Sequence, residues 1–190
     1  MSTIKNALNQ SHDYIKNLVK SGDVVVDATA GNGNDTLMLA KLVGEKGKVY
    51  SFDIQEKALE NTLRKLIDAG VEERVTVIKA DHQYMDTYIT EKGQTKAIMF
   101  NLGYLPGGDH SISTKPETTI QAVKKAMDLI MPGGLISIVV YYGGDSGFNE
   151  KNSIMEFIKT IDPKKYVVMK TEFVNQINCP PILLFIERID

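Results

Sequence analysis

The stretch VVVDATAGNGNDT, Val24 to Thr36, decides how the chain folds. Val24 to Val26 are a β-branched run closed by Asp27, Gly31 and Gly33 mark a turn, and LMLAKLV then continues as a mostly apolar helix to Gly44. A strand turning through glycines into a helix opens a doubly wound sheet, in which ligands lie beyond the carboxyl ends of the strands. Outward from it, a helix over Ser11 to Lys20, with Ser11 as its cap and Ile15, Leu18 and Val19 on one stripe, precedes the strand. KVYSFD, RVTVIKA and KAIMFN follow as the second to fourth strands. Ala58, Leu59, Thr62, Leu63 and Leu66 trace the buried face of a helix that ends at Gly70, and DHQYMDTYI reads as a short helix. Thr114 and Glu117 have capping-box spacing with Pro116 in the first turn, starting a helix through Ile120, Val123, Met127 and Ile130 that Pro132-Gly133-Gly134 stops. LISIVVYY is the fifth strand, NSIMEFIKTI a helix, and KYVVMKTEF with PILLFIER a terminal hairpin. The alternation predicts an α/β fold, a doubly wound, mostly parallel sheet whose last strand is antiparallel.

A chain of 190 residues suits one domain, spanning 1–190. With 43% hydrophobic and 24% charged residues and no long apolar run, it reads as a soluble globular protein without a membrane span. MSTIKNALNQ is too polar for a signal peptide, so the expected location is cytoplasmic. The single cysteine, Cys179, has no partner for a disulfide or a zinc site and reads as a buried, inert thiol. A net charge of −2 excludes a protein that coats nucleic acid nonspecifically, but leaves room for a local basic patch on one small RNA element. Lys5, Lys16, Lys20, Lys115, Lys124 and Lys125 are scattered candidates that read first as solvated helix faces.

Polar residues close four successive strands: Asp27, Asp53, Asp81-His82 and Asn101. Gly31 and Gly33 allow a tight turn and close backbone approach to a ligand. A dinucleotide loop would add a third glycine and meet a pyrophosphate, which the aspartate of Asn34, Asp35 and Thr36 would repel. The loop fits a cationic amino-acid end better: carboxylate and amide oxygens receive the ammonium, and backbone N–H groups meet the carboxylate. Asp53, about twenty residues beyond the glycines, is placed to accept from ribose hydroxyls. S-adenosylmethionine has both parts. A ligand-free glycine turn and an NAD-dependent oxidoreductase are the competing readings.

NLGYLPGGDHSIST, Asn101 to Thr114, is a long loop at the same edge and should choose the methyl acceptor. Its start resembles the Asn-Pro-Pro-aromatic loop of amino-group methyltransferases, with Leu102 and Gly103 in place of the prolines; in that loop an amide oxygen and a backbone carbonyl accept hydrogen bonds from the target nitrogen. Asn101 takes the amide role. An alkyl amine is mostly protonated near neutral pH, so a proton acceptor is useful, and Asp109 is the first candidate. Tyr104 is placed to cover the acceptor ring. Leu105, Pro106, Gly107, Gly108 and His110 are the remaining substrate-binding candidates, although His110 and His12 read more readily as satisfied polar contacts.

DATAGNGNDT, FDIQ and the terminal hairpin resemble the Rossmann-like class I S-adenosylmethionine-dependent methyltransferases. The resemblance implies a seven-stranded sheet and places the methionine end of the cofactor by Asp27, Gly31, Asn32, Gly33 and Asn34, with Thr29 where many members carry a further glycine. Asp35, Thr36 and Gln55 join the same cofactor set, the ribose falls to Asp53, and the adenine to Ile54, Asp81 and His82. More narrowly, SHDYI, VVDATAGNGNDT, FDIQ, NLGYLPGGDHSIST-PETT and NQINCPPILLFIE resemble the MnmM family of tRNA 5-(aminomethyl)-2-thiouridine methyltransferases nearly end to end. That family implies N-methylation of the aminomethyl group of 5-aminomethyl-(2-thio)uridine at the tRNA wobble position, an anticodon stem-loop as partner, and no metal. A homodimer is one arrangement that would widen the RNA contact surface. The sequence departs from the family at Tyr142 and Gly144, where histidines are expected. A ribosomal-RNA or small-molecule methyltransferase, and a nucleotide- or RNA-binding module without turnover, stay open as alternatives.

Overall fold

Parallel, β-branched strands buried on both faces need helices on both sides, and the chain supplies them in alternation. The computed structural model describes residues 3–103, 113–143 and 145–190. In chain order these comprise α1 (Ala7–Leu18), β1 (Val24–Asp27), α2 (Asn34–Val43), β2 (Lys48–Asp53), α3 (Glu56–Asp68), β3 (Val75–Lys79), α4 (Met85–Tyr88), β4 (Thr95–Leu102), α5 (Pro116–Leu129), β5 (Ile130–Val140), α6 (Asp145–Ile158), β6 (Tyr166–Thr171) and β7 (Ile182–Arg188). The sheet has seven strands in the order β3-β2-β1-β4-β5-β7-β6. β7 runs antiparallel to both neighbours, β5 and β6, while the pairings among β1 to β5 are parallel. This is the expected doubly wound fold with its antiparallel last strand.

Strand alternation sorts the core. Val26, Tyr50, Phe52, Ile98 and Phe100 pack with Ala122, Val123, Ala126 and Leu129 of α5. Val25, Val49, Ala97 and Met99 pack on the other face with Ile15 of α1, Leu39 and Val43 of α2, and Leu66 of α3. Among the described residues no helix is long and apolar enough to cross a membrane.

Several local expectations are corrected. α1 starts before Ser11, because the Asn6 side chain accepts the Asn9 N–H at 2.9 Å and caps the helix; Ser11 lies inside it, buried and hydrogen-bonded to Ser137 at 2.6 Å. Leu63 is 46% exposed and so lies off the buried stripe of α3. The capping box at Thr114 does not form: Lys115 is the N-cap, and the Thr114 hydroxyl accepts instead from the Gly103 N–H at 2.9 Å and donates to Glu150 at 2.7 Å. Pro132-Gly133-Gly134 does not stop a helix but bulges within β5, since Thr95 pairs with Ile130 and Ala97 already with Leu135. Gly133 is left-handed there, at φ +68°. α6 begins well before Asn152, the start expected from its apolar pattern.

Candidate active site

Register decides which strand-end residues reach the ligand edge of the sheet. Asp27 pairs with Ser51 on β2 and with Met99 on β4, so Asp53 and Asn101 each stand two residues further along their strands. At a rise of about 3.3 Å per residue, that is roughly 7 Å nearer the mouth. Asp27 is instead fully buried beneath the first turn of α2. Its carboxylate accepts from the Thr29 N–H at 3.1 Å and from the Thr36 hydroxyl at 2.6 Å, and Thr36 also meets Ser51 at 2.8 Å. Burial, and then the neighbouring Asp35 carboxylate, push the Asp27 carboxyl up from its ordinary 3.8 to about 7.

A cleft of about 760 Å³ opens above this brace. Of the cofactor candidates, Thr29, Gly31, Asn32, Asn34, Asp35, Asp53, Ile54, Gln55, Asp81 and His82 line it, as does Asn101. Asp27, Gly33 and Thr36 do not, and their contacts in the described structure are with the protein itself. Gly33 is left-handed at φ +74°, and a Cβ there would lie 2.7 Å from the Thr62 Cα, so the glycine serves the packing of the loop on α3. The N–H groups expected to meet a ligand carboxylate are engaged inside the protein: Gly31 donates to Asp53 at 2.9 Å and Gly33 to the Ala30 carbonyl at 2.8 Å.

Asp53 accepts one backbone N–H on each oxygen, Gly31 on one and Gln55 at 2.9 Å on the other. Lone pairs remain on both oxygens for hydroxyl donors. Ile54, half-exposed, offers an apolar surface beside it. His82 is buried at the opposite side of the loop, its Nδ1 3.2 Å from the Ala28 carbonyl and its ring edge-on to Phe100 at 5.7 Å. Burial lowers the His82 pKa, so the ring is neutral, with its proton on Nδ1 and an Nε2 that among the described residues has no hydrogen-bond partner, the Asp81 carboxylate standing 3.9 Å away.

On the acceptor side, the Asn101 amide nitrogen donates to Asp35 at 2.7 Å, and the other Asp35 oxygen meets His12 Nε2 at 2.7 Å. Thr29 holds the Asn101 backbone N–H at 2.8 Å. These contacts turn the amide so that among the described residues its buried oxygen Oδ1 has no hydrogen-bond partner, an acceptor open to an N–H donor. His12 is thus the satisfied polar contact expected of it, but its partner is a residue of the site. Asp35 also sits in the first turn of α2, where the helix dipole favours a carboxylate.

Tyr104, Leu105, Pro106, Gly107, Gly108, Asp109 and His110, and the departing position Gly144, lie outside the described residues. The neck of that loop is described. Gly103 donates to the Thr114 hydroxyl at 2.9 Å, Thr114 returns its N–H to the Gly103 carbonyl at 3.0 Å, and Glu150 accepts from Thr114 and Thr119, each at 2.7 Å. Glu150, only 3% exposed, was not singled out from the sequence; its one signal is a lone acidic residue on the apolar stripe of α6. Tyr141, Tyr142 and Cys179 also line the cleft. Cys179 is therefore not the buried core thiol expected, and it takes a left-handed backbone at φ 45° on the loop before β7. The scattered lysines form no single patch: Lys5 pairs with Asp13, Lys125 with Asp86, and Lys124 lies over the Phe157 ring. Among the described residues no group of three or more His, Cys, Asp or Glu is arranged to hold a metal ion.

A seven-stranded sheet, parallel from β3 to β5 with antiparallel β7, over a cleft at the strand ends, is that of a Rossmann-like class I methyltransferase. The chain belongs to the family described as "Putative rRNA methylase", whose family model matches residues 49–187. It is 36% identical to the Arabidopsis thaliana protein named "tRNA (mnm(5)s(2)U34)-methyltransferase, chloroplastic", over 97% of this chain and 70% of that one. A crystal structure from Clostridium thermocellum described as a "putative rRNA-methylase" superposes with a TM-score of 0.97 at 63% identity, covering 99% of this chain and 100% of the other. A Streptococcus mutans "putative methyltransferase" in complex with SAH superposes with a TM-score of 0.89 at 40% identity, covering 98% and 99%.

Proposed function

We propose that the chain, as a single domain, N-methylates the aminomethyl group of 5-aminomethyl-(2-thio)uridine at the wobble position of tRNA, giving the methylaminomethyl nucleoside. The observation that carries this reading is Asn101 Oδ1, buried, without a partner among the described residues and oriented by Asp35 at the cleft. The relative named for the tRNA wobble reaction supports the choice of substrate.

S-adenosylmethionine supplies a methyl group on a sulfonium. The residues present fit it: Asp53 holds the ribose hydroxyls, Ile54 covers the adenine, and the bare His82 Nε2 accepts from its amino group. Asp35, with His12 and Asn101 on its two oxygens, is spent on holding the acceptor side in place. Asn101 Oδ1 accepts an N–H of the substrate amine, which leaves the nitrogen lone pair aimed at the methyl carbon. As the N–C bond forms the S–C bond breaks, and in-line orientation carries much of the rate. Asp109, outside the described residues, is the proposed acceptor of the ammonium proton. Tyr104 to Gly108 and His110 are the proposed substrate wall, the anticodon stem-loop the macromolecular partner, a homodimer the proposed assembly, and the cytoplasm the proposed location.

The test is mass spectrometry of nucleosides after incubating the protein and isotope-labelled S-adenosylmethionine with tRNA and, separately, ribosomal RNA from cells lacking the gene. Label in methylaminomethyl-(2-thio)uridine of tRNA is expected. Label confined to ribosomal RNA would contradict the proposal.

A further inference from the structure

Two aromatic rings and an ammonium group gather at the outer end of β5, beyond the site just described. Asn101 pairs with Val139 and Leu102 with Val140, and the Tyr141 N–H donates to the Leu102 carbonyl at 3.0 Å. Tyr142 therefore follows outward from the level of Asn101, while still lining the cleft. Phe148 on α6 meets the Tyr142 ring edge-on at 5.6 Å, yet stays 41% exposed. Lys151 Nζ lies 4.7 Å from the Tyr142 ring centroid and 5.4 Å from that of Phe148. Gly147 makes this arrangement possible, since a Cβ there would stand 2.8 Å from the Tyr142 Cα and push the first turn of α6 away.

The charge pattern says what these rings face. Among the described residues neither Lys151 nor the cleft-lining Lys115 has a carboxylate at ion-pair distance, a condition most lysines of the chain share, but these two stand at the rings and at the cleft. A half-buried Tyr142 ring and an exposed Phe148 ring beside ammonium groups suit a ligand that is planar and anionic at once, and a nucleotide within an RNA strand is both. An apolar protein partner would leave those charges unanswered.

We infer that Tyr142, Phe148 and Lys151 form a stacking platform for a nucleobase adjoining the methylated one, with Lys151 and Lys115 meeting the strand's phosphates. The inference rests on the RNA substrate proposed above. The platform holds the single-stranded loop so that the neighbouring nucleotide enters the cleft toward Asn101. It acts on RNA affinity and leaves cofactor affinity alone.

The probe is a synthetic anticodon stem-loop carrying 5-aminomethyluridine at the wobble position and 2-aminopurine beside it. With the wild-type protein, binding quenches the 2-aminopurine fluorescence. Phe148→Ala and Phe148→Leu weaken that quench and raise the KM for the RNA about tenfold, whereas Phe148→Trp retains both. Lys151→Ala lowers the slope of log affinity against log salt by about one. SAH affinity in each variant reports that the fold is intact. A Phe148→Leu protein with wild-type quench and KM would overturn the platform, because apolar volume alone would then suffice. If the wild-type protein methylates the stem-loop and all these variants match it, the platform fails and the proposed function stands. If the wild type neither binds nor methylates it, both fail.

Discussion

The tips of β1 and β2 carry the same residue, an aspartate closing a β-branched or aromatic strand, and the two have opposite fates. Asp53 faces the cleft with acceptor capacity to spare, while Asp27 is sealed beneath α2 and spends its oxygens on Thr29 and Thr36. Both lie on the sheet face covered by α2 and α3, so side-chain direction does not separate them. Height does, because Asp27 is level with Ser51 and hence two residues short of Asp53. The lower aspartate braces the loop, and the upper one is available to the ligand.

The largest consequence of this difference is in stability. The folded state keeps the Asp27 proton up to about pH 7, while the unfolded chain releases it near 3.8. Asp27 therefore lowers stability progressively as pH rises from about 4 to about 7, with no further change above that. The separation amounts to at most about 4 kcal/mol at about 1.4 kcal/mol per pH unit. Denaturant titrations across this range should show the decline in wild-type protein and a flatter profile in Asp27→Asn, with SAH affinity changed less than about threefold. An equally steep profile in Asp27→Asn would remove the buried carboxyl as its source.

Asp53→Ala should do the reverse. Losing a charged acceptor to the ribose hydroxyls weakens SAH binding roughly 10- to 100-fold by calorimetry. Unchanged SAH affinity would put the two aspartates back on equal terms. The smallest effect is expected at His12, which among the described residues touches the site through Asp35. His12→Ala should lower kcat about fivefold, the worth of about one hydrogen bond, and leave SAH affinity intact; a loss confined to SAH binding would place His12 on the cofactor side instead.

The same register explains how much could be read from the sequence. VVVD and KVYSFD stand where β1 and β2 do, because β-branched and aromatic residues bounded by turn residues are a local signal. That Asp53, Asp81, His82 and Asn101 line one cleft was legible from strand order. That Asp27 does not was illegible, since the relative height of parallel strands is set by long-range pairing. Thr114 failed as a helix cap for a similar reason: its hydroxyl oxygen accepts from Gly103 and its proton goes to Glu150, both outside the helix turn it would cap. Cys179 misled because free cysteines are usually buried, while here the turn before Pro180 and Pro181 carries it to the cleft. Pro132-Gly133-Gly134 was legible as a break, but a helix stop and a strand bulge share the same residues.

The most direct test concerns Asn101, whose amide oxygen is held ready by Asp35. Single-turnover methylation and SAH calorimetry should be measured on Asn101→Ala side by side with wild-type protein. The account predicts a methyl-transfer rate lower by about 100-fold, as expected when a reacting group loses its orientation, with SAH affinity within about threefold of wild type. A rate within a few-fold of wild type would contradict it, because the acceptor nitrogen would then be positioned by something other than this amide.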